Sequence, residues 1–218
     1  MPHIAVIIGG GPIDPEAVES IVGIPDLVVI AADSGLDHAV AAGLAPTLLV
    51  GDLDSISATG RMWAYANGTD IRESPTDKDQ TDTELALQAA LDVPGVGNLV
   101  VLGGDDITDR RPDHFLGTLL ALGHPTMAAF GAVTANLGGA WYTVVHPGKP
   151  ATLPIAAGRT FSVLALHGLA QGVDVRGAAW ELHGADLGPG EARGVSNIAK
   201  EDTVEISTTS GVVTVVVP

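Results

Sequence analysis

Short apolar runs, rich in β-branched residues, alternate with helical segments through the first half of this chain. The runs occupy residues 4–8, 27–32, 47–50 and 99–102. A strand that is buried on both faces has this continuous apolar character, and parallel strands need a helical crossover between them. Helical patterns at residues 36–42 and 82–91, and a capped start at Asp14-Pro15, lie between the runs. The pattern predicts a mostly parallel α/β domain.

The second part of the chain has a different pattern. Beyond about residue 125 no long helical period occurs, and Gly and Pro separate short alternating or β-branched runs. These runs lie at residues 141–145, 160–166, 173–176, 203–207 and 212–217. Such spacing is typical of an antiparallel β-sandwich or a flattened barrel. We therefore predict an α/β domain over residues 1–122 and an all-β domain over residues 123–218.

Acidic residues are concentrated in the first predicted domain. Residues 1–122 contain 19 acidic and 5 basic side chains, and the whole chain carries a formal net charge of −16. Nucleic acids and anionic membranes bind basic surfaces, so neither is expected as a partner. An excess of carboxylates instead suits a protein that binds Mg²⁺ or Ca²⁺.

Several classes of protein are excluded by what the sequence lacks. The chain contains no cysteine, which rules out disulfides, thiolate catalysis and cysteine-ligated zinc or iron–sulfur centres. No apolar run is long enough for a transmembrane helix, and the run at residues 4–8 is too short for a signal peptide. We therefore expect a soluble cytoplasmic protein. The glycine run at residues 9–11 matches neither the P-loop nor the dinucleotide fingerprint, which argues against a P-loop kinase and a dehydrogenase.

Acidic or glycine-rich segments follow the predicted strands. They are Gly9-Gly10-Gly11, Asp33-Ser34-Gly35, Gly51-Asp52-Leu53-Asp54-Ser55 and Gly103-Gly104-Asp105-Asp106. Because ligands bind beyond the carboxyl ends of the strands in an open α/β sheet, Asp33, Asp52 and Asp54 can converge there. Alternate residues of an extended segment point the same way, so Asp52 and Asp54 are candidate ligands of one divalent cation. Turn or cap hydrogen bonds are the alternative role for this pair.

Two further charged clusters carry candidate metal and phosphate ligands. In the cluster at residues 74–82, Asp79 and Asp82 can share a helical face, and a lysine among carboxylates, Lys78, suits a phosphate partner. The other cluster is Arg110-Arg111-Pro112-Asp113-His114, where an arginine can clamp phosphate oxygens. Helix capping for the first cluster and surface salt bridges for the second are the structural alternatives.

In their order along the chain, these clusters resemble those of the thiamine pyrophosphokinase family. The matching segments are Ala32-Asp33-Ser34-Gly35, residues 46–55, residues 75–82, Arg111-Pro112-Asp113-His114, residues 177–182 and Gly194-Val195-Ser196-Asn197. The G-D-x-D-S and K-D-x-T-D elements are specific when they occur together, and the resemblance covers nearly the whole chain. The chain departs from the family pattern at Asp109-Arg110, which replace two glycines, and at Thr118, which replaces an asparagine.

The resemblance implies an N-terminal α/β nucleotide domain followed by a β-sandwich, in a homodimer with active sites in clefts between the subunits. It implies Mg²⁺-dependent transfer of a diphosphate from ATP to the hydroxyl of thiamine, with release of AMP. The residues that it assigns to catalysis are Asp52, Asp54, Asp82 and Asp113. Those assigned to the metal are Asp52, Asp54, Asp79 and Asp82. Those assigned to ATP and its phosphates are Asp33, Lys78, Thr81, Arg111 and His114, and those assigned to thiamine are Trp180, Ser196 and Asn197.

Two alternative functions stay open at this point. A diphosphokinase for another alcohol, such as a hydroxymethylpterin, would share the catalytic domain, although Trp180 and Ser196-Asn197 favour thiamine. A non-enzymatic acidic module would bind metal or nucleotide without releasing AMP. For the enzyme, phosphoryl-type transfer needs mainly positioning and neutralisation of charge, and a carboxylate such as Asp113 or Asp82 can accept the proton of the attacking hydroxyl.

Overall fold

The computed structural model describes residues 2–95, 97–103 and 111–218. The chain divides into two compact units, the first comprising the residues up to Thr118 with Ala135–Gly139, and the second Leu119–Thr134 with Ala140–Pro218. The division lies a few residues before the boundary at residue 122 that the sequence predicts. The acidic pair at residues 105–106 and the segment at residues 109–110 lie outside the described residues. None of the described helices has the length and apolar character needed to cross a membrane.

The first unit is built on a parallel sheet. Its strands are β1 (Ile4–Ile7), β2 (Val28–Ala32), β3 (Leu48–Gly51), β4 (Asp70–Glu73) and β5 (Leu99–Gly103). They pair in the order β5-β1-β2-β3-β4, and each of these pairings is parallel. The helices are α1 (Pro15–Ile21), α2 (Gly35–Ala41), α3 (Ala58–Asn67), α4 (Asp82–Leu91) and α5 (Pro112–Leu122). The prediction of a mostly parallel α/β fold is confirmed.

Side-chain caps fix where two of these helices begin. The Asp14 carboxylate accepts a hydrogen bond from the Glu16 amide at 3.0 Å, and Pro15 takes the first helical position of α1. Helix α4 begins with a capping box, in which the Thr81 hydroxyl accepts from the Glu84 amide at 3.2 Å and Glu84 Oε2 accepts from the Thr81 amide at 2.8 Å. This cap places Asp82 in the first turn of α4, at the carboxyl edge of the sheet.

The second unit is formed mainly by two antiparallel sheets. The elements from the end of α5 onward are a 3₁₀ helix (Pro125–Ala129), β6 (Val133–Leu137), β7 (Ala140–Val145), β8 (Ala151–Leu153), β9 (Thr160–Leu164), β10 (Ala170–Arg176), β11 (Leu182–Leu187), β12 (Asn197–Ile198), β13 (Val204–Ser207) and β14 (Val213–Val217). One sheet has the order β12-β9-β14-β7 and the other β11-β10-β13-β8. Side chains of both sheets, including Phe161, Val175, Ile206 and Val215, form one buried core. The prediction of an all-β part is therefore confirmed.

Two histidines are packed into the second unit. The ring of His167 lies directly against Gly123, where a Cβ would overlap it, and its Nε2 lies 3.1 Å from the Thr214 hydroxyl. His146 is only 3% exposed. Burial lowers the pKa of both imidazoles below the ordinary value of 6.5, since a charged ring would lose its hydration. Both rings are therefore neutral in the folded protein at neutral pH.

Acid should destabilise the protein through these two rings. Because the folded pKa values are lowered, the unfolded chain binds protons first, and stability that is present above pH 6.5 is lost as the pH falls toward the folded values. We expect His167→Gln to reduce the loss of unfolding free energy between pH 7.5 and 5.5 by on the order of 1 kcal/mol. Urea denaturation at the two pH values measures the difference. The exposed His183 provides the control His183→Gln, and equal losses in all three proteins would contradict the assignment.

Candidate functional site

A cavity of about 590 Å³ opens at the carboxyl edge of the parallel sheet in the first unit. Its lining comes from the segments that follow β1, β2 and β3 and from the first turns of α4 and α5. The lining residues that the sequence singled out are Asp33, Asp52, Asp54, Thr81, Asp82, Arg111, Asp113 and His114. Eight predicted site residues from four separate segments therefore share one cavity, as the topology of the strand ends predicts.

Three carboxylates meet at the floor of this cavity. Asp33, Asp52 and Asp82 each place one carboxylate oxygen so that the three oxygens lie within 4.8 Å of one another. The Ser55 hydroxyl donates a hydrogen bond to Asp33 Oδ2, whereas Asp33 Oδ1 is buried and has no hydrogen-bond partner among the described residues. The sequence assigned Asp33 to ATP, and it did not assign a role to Ser55. The sequence signal for both is the small polar segment that ends each strand.

The backbone between β3 and α3 makes this approach possible. Gly51 has a φ of +148°, and a Cβ at this position would lie 3.1 Å from the Asp33 Cβ and 3.2 Å from Asp82 Oδ1. Leu53 has a φ of +63°, and its buried side chain packs in a core cluster of the first unit. Any side chain at residue 51 would push the carboxylates apart, and Leu53 anchors the loop that carries them.

The left-handed Leu53 changes the expected geometry of Asp52 and Asp54. The segment is not extended, because the Asp54 amide turns back and donates to Asp52 Oδ1 at 3.2 Å. Asp52 therefore joins the group of three, whereas Asp54 lines the cavity with an exposed side chain outside that group. Asp79 is exposed as well and does not line the cavity. The metal roles of Asp54 and Asp79 stay predictions.

The neighbouring carboxylates are shifted in opposite directions. Burial raises the pKa of Asp33, the charges of Asp82 and Asp52 act in the same direction, and the hydrogen bond from Ser55 opposes them. The backbone N–H of Asp54 lowers the pKa of Asp52, with a further contribution from the Lys78 ammonium. Negative charge on Asp33 is thus costly in the absence of a cation.

Lys78 supplies a positive charge inside the group. Its Nζ lies 3.0 Å from Asp82 Oδ1 and 3.5 Å from Asp52 Oδ2, and its side chain is only 15% exposed. Burial alone would lower the pKa of Lys78, but the hydrogen bond and charge of Asp82 and the charge of Asp52 outweigh it and raise the pKa. Lys78 is therefore charged and balances part of the negative charge.

The residues of this group fit a hard divalent cation. All the converging donors are carboxylate oxygens, which Mg²⁺ and Mn²⁺ prefer, and one oxygen of Asp33 is buried without a hydrogen-bond donor. The excess of negative charge over the single ammonium favours a cation at the same point. Asp33, Asp52 and Asp82 are the described side chains that could hold it together.

The start of α5 forms a second charged group in the cavity wall. The Arg111 guanidinium donates two hydrogen bonds to the Asp113 carboxylate, at 3.2 and 3.1 Å, and also contacts the His114 imidazole. The hydrogen bond from Arg111 lowers the pKa of Asp113. All three side chains are about half exposed or more, so the guanidinium is accessible to an anionic ligand in the cavity.

Trp180 lies beside a separate cavity of about 270 Å³ in the second unit. Its side chain is 60% exposed, so it does not fill the core. Its backbone is held by Asn197, which is buried, accepts from the Trp180 amide at 3.1 Å and donates to the Trp180 carbonyl at 2.8 Å. Asn197 therefore positions Trp180, a role that the sequence did not indicate.

The same cavity brings in two charged residues that the sequence analysis did not select. Glu181 and Arg193 line it together with Trp180 and Asn197. Ser196 has a φ of +61°, and its amide donates to the Ser162 hydroxyl at 3.1 Å. Ser196 is not among the residues that line this cavity, and its role toward a ligand stays a prediction.

Comparison with protein families identifies two matching domains. Residues 26–130 match the thiamin pyrophosphokinase catalytic domain, and residues 150–213 match the thiamin pyrophosphokinase vitamin B1 binding domain. The thiamine pyrophosphokinase of Bacillus subtilis (strain 168) is 32% identical over 118 residues, which are 53% of this chain and 52% of that protein. The sequence match thus spans about half the length of this relative.

Solved structures resemble the chain over nearly its whole length. The thiamine pyrophosphokinase of Bacillus subtilis has a TM-score of 0.80 at 22% identity and covers 99% of this chain and 98% of its own. A thiamin pyrophosphokinase family protein of Enterococcus faecalis has a TM-score of 0.76 at 22% identity, with the same coverage. The enzyme of Candida albicans has a TM-score of 0.72 at 12% identity and covers 99% and 89%. At these identities the likeness establishes the fold.

The geometry predicts which aspartates bind a divalent cation. We expect Asp33→Asn, Asp52→Asn and Asp82→Asn each to weaken Mn²⁺ binding by about tenfold or more, since each removes a charged oxygen ligand. The matched control is Asp79→Asn, whose side chain is exposed outside the cavity lining and should leave the affinity within about twofold. Titration followed by electron paramagnetic resonance measures free Mn²⁺ directly. An effect of Asp79→Asn as large as that of Asp33→Asn would contradict this ligand set.

Proposed function

The chain belongs to the thiamin pyrophosphokinase family, and we propose that it transfers the diphosphate group of ATP to the hydroxyl of thiamine with release of AMP. The observation that carries the proposal is the convergence of Asp33, Asp52 and Asp82 around Lys78 at the carboxyl edge of the sheet. The matches to a catalytic domain and to a vitamin B1 binding domain support the two substrates.

Mg²⁺ is the cation that we assign to the three carboxylates. Two or three carboxylates with open positions for water and phosphate oxygens are a common Mg²⁺ site in enzymes that handle ATP. When bound, the ion supplies positive charge that neutralises the phosphates of ATP. The need for it follows from charge, since Asp33, Asp52 and Asp82 would otherwise repel an anionic nucleotide.

The described side chains around the cavity suit a triphosphate chain. Lys78 and Arg111 supply the positive charge, and His114 lies in contact with Arg111. Thr81 was assigned to the phosphates, but its hydroxyl and its amide are both engaged with Glu84 in the cap of α4. We therefore assign Thr81 to the positioning of Asp82.

The reaction itself requires little covalent help from the protein. The hydroxyl oxygen of thiamine attacks the β-phosphorus of ATP, the bond from that phosphorus to the α–β bridging oxygen breaks, and AMP leaves. The hydroxyl proton passes to a base. Of the carboxylates considered for this task, Asp113 is engaged by Arg111, and its lowered pKa makes it a weaker base. The main work of the side chains is therefore positioning and neutralisation of charge.

We assign thiamine to the cavity beside Trp180. Thiamine is a cation with flat rings, and the face of an exposed indole attracts such a ligand by cation–π interaction. Asn197 holds the backbone of Trp180, which fixes the direction of the ring. The Glu181 carboxylate lines the same cavity and adds a negative charge that suits a cation. Ser196 stays in the proposal as a contact to the aminopyrimidine.

A homodimer completes the proposal. The second unit leaves apolar side chains exposed at Trp180, Val195 and Ile198, with exposed fractions of 60%, 48% and 38%. Exposed apolar side chains on neighbouring segments are typical of surfaces that another protein covers. A second copy of the chain is the occupant that the family resemblance implies.

An assay for AMP tests the proposed function. We expect the purified chain with Mg²⁺, ATP and thiamine to release AMP and thiamine diphosphate in equal amounts. Asp52→Asn should reduce this rate by about 100-fold or more, because the variant loses a ligand of the cation that neutralises the phosphates. A hydroxymethylpterin in place of thiamine is the control for the rival alcohol. Binding of ATP without AMP release under these conditions would contradict the proposal and favour a binding module.

Trp180→Ala tests the thiamine site separately. We expect the KM for thiamine to rise by about tenfold, since the variant loses ring stacking and cation–π attraction, while the KM for ATP stays within about twofold. The free energy of unfolding should fall by less than about 1 kcal/mol, because the indole is 60% exposed. Trp180→Phe is the conservative control and should recover much of the affinity for thiamine. An unfolding loss of about 3 kcal/mol with an unchanged KM for thiamine would remove Trp180 from the site.

A further inference from the structure

Lys78 occupies the place between two of the three clustered carboxylates. Its Nζ lies 3.0 Å from Asp82 Oδ1 and 3.5 Å from Asp52 Oδ2. These contacts are shielded, since the side chains of Lys78, Asp52 and Asp82 are 15%, 11% and 25% exposed. The ammonium therefore serves as the counter-ion of the group when no other cation is present.

An ammonium and a divalent cation cannot share this place. The oxygens of Asp33, Asp52 and Asp82 lie within 4.8 Å of one another, which is room for one cation between them. Two positive charges at that distance would also repel each other strongly in a half-buried site. A cation that takes oxygens of Asp52 and Asp82 must therefore move Nζ away from at least one of them.

We propose that Lys78 is an internal placeholder, which the divalent cation displaces and which thereby becomes available to the phosphates of ATP. This inference rests on the proposed function and adds an order to its binding steps. Before the cation arrives, Lys78 reduces the repulsion among the carboxylates. After the cation arrives, the same charge is free at the edge of the cavity, where an anionic substrate enters.

The position of Lys78 in the chain permits this movement. It lies in the segment between β4 and α4, four residues before Asp82, and not within either element. Its four-carbon stem lets the ammonium change partners by rotation of the side chain, with no change in α4. The metal and phosphate sites are consequently coupled, since filling the first releases a ligand for the second.

The first experiment measures Mn²⁺ binding in the absence of nucleotide, by electron paramagnetic resonance. Lys78→Met removes the competing cation, so we expect it to bind Mn²⁺ on the order of tenfold more tightly than the unmodified chain. With Mg²⁺ present, the same variant should bind ATP more weakly. Lys200→Met, at an exposed lysine, is the matched control and should leave both affinities within about twofold.

The second experiment uses the unmodified chain, so it does not depend on a variant that folds. The lysines are acetylated briefly with an N-hydroxysuccinimide ester, and modification at Lys78 is quantified by mass spectrometry against the exposed Lys149 and Lys200. We expect Lys78 to be protected without metal, to become severalfold more reactive when Mg²⁺ alone is added, and to be protected again when ATP follows. Lys149 and Lys200 should not respond.

Each outcome has a defined meaning. Unchanged acetylation of Lys78 at Mg²⁺ concentrations that saturate the site would overturn displacement, even if Lys78→Met bound Mn²⁺ more tightly through a general effect of charge. Equal or weaker Mn²⁺ binding by Lys78→Met would overturn it as well. In both cases tight Mn²⁺ binding by the unmodified chain would leave the proposed function intact. A chain that binds no divalent cation at all would overturn both.

Discussion

Repulsion among three carboxylates is the constraint that organises the first unit. Asp33, Asp52 and Asp82 bring oxygens within 4.8 Å of one another in a partly shielded place, which is unfavourable unless positive charge compensates it. The compensation visible in the fold is the Lys78 ammonium, and the raised pKa of Asp33 reflects the part that remains uncompensated. A site of this kind stores electrostatic energy in the folded chain and releases it to the cation that binds there.

The backbone holds these charges together through packing elsewhere. Leu53 is buried in the core cluster beneath the loop, so the loop cannot relax outward without exposing an apolar side chain. Gly51 leaves the space into which Asp33 and Asp82 approach. The Thr81–Glu84 cap fixes the first turn of α4 in the same way. Hydrophobic burial and helix capping thus balance the cost of the clustered charge.

The sequence revealed those features of the fold that follow from burial on both faces of a strand. The runs at β1, β2, β3 and β5 were readable for this reason, whereas β4 was not, because Asp70–Glu73 is a polar edge strand with mostly exposed side chains. The meeting of the strand ends was also predictable. Which carboxylates approach most closely was not, since it depends on the left-handed conformation of Leu53, and an extended segment was expected there. The hydrogen bonds that engage Thr81 and Asn197 depend equally on local backbone geometry.

The exposure of Trp180 gives the chain an optical property. The three indoles lie in different surroundings, since Trp63 and Trp141 are partly buried and Trp180 is 60% exposed beside its cavity. An indole in contact with water emits at longer wavelength than a buried one, so the red edge of the protein fluorescence belongs mainly to Trp180. A molecule that stacks on this ring changes its emission, while one that binds only in the first unit leaves it unaltered. The chain thus carries its own fluorescent reporter of occupancy in the second unit, with no added label.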